Sequence, residues 1–238
     1  MKSRILPVFA AAALAALPAI AHADVIKLDS GDVGNSFTVD YDGYTGSGTI
    51  DGLASQIVFT LTGTTDNSYT LSYAVANTSD TPITGSRVSG FGFNTDPTIS
   101  GASSTGTYTV TALDSNVPNV GTVDVCFKGG GGTNSCAGGG GGGVSLGDSG
   151  SGSLTLSFSS PVTSLTLSDF FTRYQSISGA GSTTSAVGSG TISSSSGGSS
   201  GGTPVPEPGM FGLFALGVGA LMFRRRRKSA PAPQLAIA

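Results

Sequence analysis

From Ser68 to Val75 the chain reads SYTLSYAV, and its apolar and polar positions alternate without a break. Tyr69, Leu71, Tyr73 and Val75 fall on one side, Ser68, Thr70 and Ser72 on the other. A period of two is the signature of a half-buried strand. The same pattern puts Ile57, Phe59 and Leu61 on one face of Gln56 to Thr62, and Leu154, Leu156 and Phe158 on one face of Ser153 to Phe158. Shorter alternations run through Phe37-Val39-Tyr41, Tyr108-Val110, Val123-Val125-Phe127 and Leu165-Leu167. Turn formers lie between them: Asp42-Gly43, Asp51-Gly52, Asn67, Thr81-Pro82, Asp96-Pro97, Asn116 to Pro118 and Ser160-Pro161. No window before residue 205 shows a helical period. About nine or ten short strands, each with one apolar face, predict an all-β domain of two antiparallel sheets packed face to face. The expected architecture is a β-sandwich of jelly-roll or immunoglobulin-like type over residues 24–178. A β-solenoid competes, but no repeat recurs at a fixed period.

The pattern stops at Gly179. From there to Thr203 the chain reads GAGSTTSAVGSGTISSSSGGSSGGT, uncharged and almost without apolar residues. Such a segment buries too little surface to offset its ordering entropy, so a flexible linker is expected over 179–203. By random-coil scaling it spans about 25–30 Å. Beyond it come PVPEP (residues 204–208), an apolar run from Gly209 to Phe223, and the cations Arg224, Arg225, Arg226, Arg227 and Lys228. As a helix the run is about 22 Å long, short of a hydrocarbon core of about 30 Å. Local thinning and snorkelling arginines make up the difference. The basic cluster orients such a helix with the cations in the cytoplasm and residues 24–203 outside. Residues 229–238 then form a cytoplasmic tail.

The N-terminus has its own grammar. Lys2 and Arg4 precede a small-apolar stretch from Ile5 to Ile20, and Ala21-His22-Ala23 follows. Ala21 and Ala23 satisfy the small-residue rule for signal-peptide cleavage, so residues 1–23 are expected to be removed.

Composition sharpens this picture. His22 is the only histidine, so the exported body has none. That excludes Ser-His-Asp and Cys-His nucleophiles, histidine bases and imidazole-dependent metal sites. Between Asp24 and Thr203 the only cations are Lys27, Arg87, Lys128 and Arg173, against thirteen aspartates. A body this acidic repels phosphate backbones, so nucleic acid is not an expected partner.

Cys126 and Cys136, in VCFKGGGGTNSCAGGGGGGV, are the only cysteines. Export places them in an oxidising compartment, where a disulfide is the expected state. The glycine runs at 129–132 and 138–143 lack the strand, pattern and helix of a phosphate cradle, and read as flexible loop. Asp40-Tyr41-Asp42-Gly43 begins like a calcium loop, but Tyr44 and Asp51 stand at the fifth and twelfth positions. Ligand count and spacing are not met. Asp40/Asp42 and Asp29/Asp32 are candidate acid pairs for glycoside hydrolysis, although proximity in sequence does not set the required separation. Arg173 and Tyr174 suggest either a contact to a partner carboxylate or sugar, or the closing of an edge strand.

Pro206-Glu207-Pro208, the short apolar helix and the arginine cluster together resemble the PEP-CTERM sorting signal of Gram-negative bacteria. The resemblance implies processing near Pro206, Glu207 and Pro208 by an exosortase-type enzyme. It implies a precursor held in the inner membrane with a periplasmic body, then a place at the cell surface or in the extracellular matrix, with exopolysaccharide as a partner. The cysteine loop from Cys126 to Gly143, the segment Gly90-Phe91-Gly92-Phe93-Asn94 with Asp96-Pro97, and Arg173-Tyr174-Gln175-Ser176-Ile177 resemble the cistern family of PEP-CTERM proteins, which implies no enzymatic activity. The expectation is an exported, non-enzymatic envelope protein with no catalytic residue, metal or cofactor. An anchored carbohydrate- or calcium-binding module is the alternative, and a glycan hydrolase the third.

Overall fold

The computed structural model describes residues 24–131, 135–137 and 141–196, together with the backbone of 199–200. The expected signal peptide (with Ala21 and Ala23), the apolar C-terminal run and the basic cluster lie outside the described residues. Among the described residues no helix is long and apolar enough to cross a membrane. One 3-10 turn, Ser30–Asp32, is present, closed by a capping box between Asp29 and Asp32.

Among the described residues all other regular structure is strand. The first half of the chain forms β1 (Ile26–Asp29), β2 (Ser36–Thr45), β3 (Gly48–Thr65), β4 (Ser68–Ala76), β5 (Gly85–Asp96) and β6 (Gly101–Gly106). The second half forms β7 (Val110–Val117), β8 (Gly121–Lys128), β9 (Val144–Ser145), β10 (Ser149–Ser157), β11 (Ser164–Ser178), β12 (Ser185–Ser195) and β13 (Ser199–Ser200). Every pairing is antiparallel. Most of the alternating positions named above become the inner face, while Val110 is half-buried and Val123 joins a second, smaller core. Phe37, Val39, Tyr41, Ile57, Phe59, Leu61, Tyr69, Leu71, Tyr73, Val75, Leu154, Leu156, Leu165 and Leu167 are all buried in one core.

The strands follow one path, β6-β10-β4-β3-β2-β12-β11-β5-β8-β7, which curls until its two limbs face each other. Phe59 on β3 meets Phe91 and Phe93 on β5 at ring-centroid distances of 5.7 and 6.1 Å, and Tyr73 on β4 meets Phe91 at 5.2 Å. The face-to-face packing expected of a sandwich is therefore present. The limbs, however, belong to one nearly closed, barrel-like sheet rather than to two separate ones.

The strand that joins them is β12, inside the segment expected to be a flexible linker. It pairs with β2 from Val187↔Tyr44 to Ser195↔Phe37, and with β11 from Phe171↔Ser189 to Gln175↔Ser185. Ala186 and Val187 are buried, and Gly188 and Gly190 face the core. A Cβ at Gly188 would collide with Thr172 and Tyr174, and one at Gly190 with Phe170 and Val39. The neighbours supply the apolar bulk that β12 lacks, so aromatic rings cover a strand made of small residues. Composition alone misreads such a segment as unable to order.

Two predicted turns also move. Asp42-Gly43 lies inside β2 and Asp51-Gly52 inside β3, where the register jumps between Ala54 and Thr49. Gly52 carries the extra residues of this irregularity at φ +71, a left-handed conformation favoured by glycine.

Several phenols sit in the closed interior. Tyr174 Oη lies 2.7 Å from Ser55 Oγ and donates to Tyr41 O at 3.3 Å, and Tyr108 Oη donates to Val88 O at 2.8 Å. Burial raises the pKa of Tyr174 to about 12 and drives those of Tyr41 and Tyr108 up as well. In the unfolded chain a tyrosine titrates near 10. Below that pH both states keep their protons, so these groups leave stability unchanged. Above it the unfolded chain loses its protons first, and stability falls as pH climbs towards the folded values. Urea midpoints should hold steady from pH 7 to about 9.5 and drop beyond pH 10. Phenolate absorbance should rise together with unfolding rather than ahead of it.

Candidate functional site

The structure brings the two cysteines together: Cys126 on β8 is disulfide-bonded to Cys136, Cα to Cα 6.4 Å. Cys136 N donates to Ser115 Oγ of β7 at 3.0 Å, so the loop is tied to two strands. Both cysteines belong to a small second core with Ala112, Val117, Val123, Phe171 and Val187. Gly129, Gly130, Gly142 and Gly143 are more closely held than a flexible loop implies, while Gly131 and Gly141 have open space around them. Gly129 N donates to Ser89 O at 3.1 Å, and a Cβ on Gly142 would strike the Gly129 backbone. Backbone meets backbone here, which only glycine permits.

Three of the four carboxylates suggested as acid pairs, those of Asp29, Asp32 and Asp40, are spent locally. Asp29 Oδ1 accepts from Gly31 N at 2.7 Å, and Asp32 accepts from Asp29 N at 2.9 Å and from Asn35 Nδ2 at 3.1 Å. Asp40 Oδ1 accepts from Gln56 Nε2 at 2.8 Å. Asp42 and Asp51 line a shallow cleft of about 380 Å³ formed with Thr49 to Ala54. The calcium-loop pattern Asp40-Tyr41-Asp42 is strand alternation, with Tyr41 turned into the core. Among the described residues no three His, Cys, Asp or Glu side chains come together in a metal-binding group.

Arg173 and Tyr174 do not close an edge, because β11 lies between β12 and β5. Tyr174 is wholly buried, and Arg173 is only 8% exposed. Arg173 Nη1 donates to Ala186 O at 2.9 Å, and burial lowers the pKa of the guanidinium. These residues brace the interior instead of meeting a partner.

A feature absent from the sequence reading lies on the outer surface. Between Ser168 and Phe171 the register of β11 against β5 breaks, and Asp169 takes φ 50. This bulge turns Phe170 into the core and leaves Asp169 exposed. Facing it is the β7–β8 turn, where Asn119 takes φ 64. Tyr44 of β2 forms a third side, its Oη donating to Asn119 O at 2.8 Å. Together they bound a cleft of about 390 Å³, near the lower end of the range of about 300–1,000 Å³ for small-ligand sites. Asn94 of β5 joins the wall: its Nδ2 donates to Asp169 Oδ2 at 3.0 Å, and its Oδ1 accepts from Asp124 N at 3.0 Å. The available sequence signal was the break in alternation at Ser168-Asp169-Phe170-Phe171.

Comparison with known families adds the other end of the chain. Residues 204–227 match the model of the PEP-CTERM protein-sorting motif. The chain carries a PEP-CTERM sorting signal. This signal marks an exported protein, held in the membrane as a precursor and sorted by an exosortase, itself a membrane enzyme. The match includes Pro206, Glu207, Pro208 and Arg224 to Arg227, while Lys228 falls one residue past it. All of these lie outside the described residues. The PEP-CTERM match does not confirm the narrower cistern family. No curated protein and no solved structure matches the chain.

Proposed function

We propose that this PEP-CTERM protein is a non-enzymatic display protein whose β-body is delivered by exosortase processing to the cell surface and held in the exopolysaccharide matrix. The PEP-CTERM motif at residues 204–227 carries the reading. A body without histidine, whose Asp29/Asp32 and Asp40 carboxylates are committed to local hydrogen bonds, supports a structural rather than a catalytic role. The two facing limbs act as the layers of a sandwich, giving a compact body suited to an extracellular setting. The cysteine loop and the Gly90 to Asn94 segment support placing it in the cistern family.

The test is the intact mass of the native protein from membrane and secreted fractions. A species running from Asp24 to near Pro208 is expected outside the cell. Replacing Pro206, Glu207 and Pro208 together by alanine should leave the precursor in the membrane. If the native protein is found only at full length to Ala238, exosortase processing is wrong for this chain. In a strain unable to make exopolysaccharide the processed body should be shed into the medium. Equal retention in both strains overturns the matrix association and leaves the sorting intact.

A further inference from the structure

The outer cleft is built from five strands and the β7–β8 turn, and its chemistry is selective. Asp169 Oδ2 is occupied, accepting from Asn94 Nδ2 at 3.0 Å and from Ser168 Oγ at 3.2 Å. Those two donors fix the carboxylate of this exposed residue and leave Oδ1 with no hydrogen bond to any described residue. The side-chain amide of Asn119 and the hydroxyls of Thr122 and Ser189, also in the lining, make no side-chain hydrogen bond within the described chain. The ring of Tyr44 is held by its hydroxyl bond to Asn119 O. The left-handed backbone at Asp169 and Asn119 is sparsely populated by residues other than glycine, and such strain gathers where side chains are aimed for use.

Charge and polarity narrow the occupant. A divalent cation would find one carboxylate here, and calcium takes six to eight oxygen ligands. The Asp124 carboxylate is already committed to Thr95 N at 2.7 Å. An anion would meet Asp169 with no cation in the lining to offset it. An apolar ligand would desolvate an amide, two hydroxyls and a carboxylate without replacing their hydrogen bonds. A polyol both donates and accepts at every hydroxyl, and its C–H faces pack on an aromatic ring. The free groups of the cleft alternate in the same way: an acceptor at Asp169 Oδ1, both functions at Asn119, both again at Thr122 and Ser189.

We propose that this cleft binds one unit of a neutral saccharide, with Asp169 Oδ1 accepting from a ring hydroxyl, the Asn119 amide bonding its neighbour and the Tyr44 ring packing along the sugar face. The site rests on the matrix reading only for where such a sugar is met. It deepens that reading by naming the ligand class and the residues that hold it.

The experiment uses the mature protein recovered from the producing cells, with saturation-transfer NMR against glucose, galactose, mannose and N-acetylglucosamine in turn. At least one should show transfer that is lost or weakened about tenfold or more in Asp169→Asn, since a hydrogen bond to a charged acceptor is replaced by a weaker one. Asparagine tolerates the left-handed backbone, so this variant should keep the parent melting temperature. Asn119→Gly should weaken the same sugar, while Asp66→Asn, on the remote β3–β4 turn, should not. The assignment is overturned if none of the four sugars shows transfer, if Asp169→Asn binds as tightly as the parent, or if a Gly-Ser tetrapeptide competes equally well. Matrix retention and precursor processing are read separately, so loss of sugar binding with both intact removes the cleft alone.

Discussion

A chain cut after Ser178, where composition places the end of the domain, should show no cooperative unfolding transition, whereas one ending at Ser200 should show a sharp one. The cut removes β12 from between β2 and β11, where Ser185 to Ser189 are registered against β11 and Val187 to Ser195 against β2. Each ladder hydrogen bond contributes roughly 0.5–1.5 kcal/mol, and a domain's whole stability is about 5–15 kcal/mol. Losing two ladders from the middle of the sheet therefore removes a quantity comparable with the total. It also uncovers Tyr41, Phe170 and Tyr174, whose side chains pack beside Gly188 and Gly190. Near-ultraviolet circular dichroism during a urea titration makes the comparison. Equal midpoints for the two chains would show that β12 is dispensable.

The second large effect concerns the disulfide. Replacing Cys126 and Cys136 together by alanine should destabilise the body by about 2.5–3 kcal/mol, the loop-closure entropy of a loop of this length. For a domain of this size that corresponds to a melting-point drop of roughly 5–10 °C. The glycines between the cysteines make the open loop unusually rich in conformations, so the effect should not fall short of this range. Reductant should lower the melting point of the parent by a similar amount and leave the double variant unchanged. Alkylation of the parent should require prior reduction.

The disulfide and β12 are encoded in different ways. Cys126 and Cys136 are the only cysteines of an exported chain, so their pairing follows from counting. β12 follows from nothing in its own residues. Strand signals come from branched and aromatic side chains, and between Ser185 and Ser195 only Ala186, Val187 and Ile192 are apolar. The apolar contacts that order this segment belong to Val39, Tyr41, Phe170 and Tyr174. A propensity is a property of the segment, whereas burial here is a property of its neighbours. Arg173 shows the converse: a cation that composition assigns to the surface is buried because β11 has a strand on each side.

The sites divide in the same way. The sorting signal is linear, its three parts adjacent in the chain, so Pro206, Glu207, Pro208 and the arginine cluster were legible at once. The outer cleft takes Tyr44, Asn94, Asn119, Asp169 and Ser189 from five distant places. Nothing in their local surroundings sets them apart, apart from the interruption of alternation at Ser168-Asp169.

The inward-facing positions of most strands, the cysteine pairing and the sorting address are all legible in the chain as written. Side-chain alternation, thiol chemistry and a linear signal are each written in neighbouring residues. That β12 joins the two limbs of the sheet, and that a bulge and a turn meet across a polar cleft, emerge only on folding. Both depend on register between strands far apart in the chain, set by how the whole inner face packs.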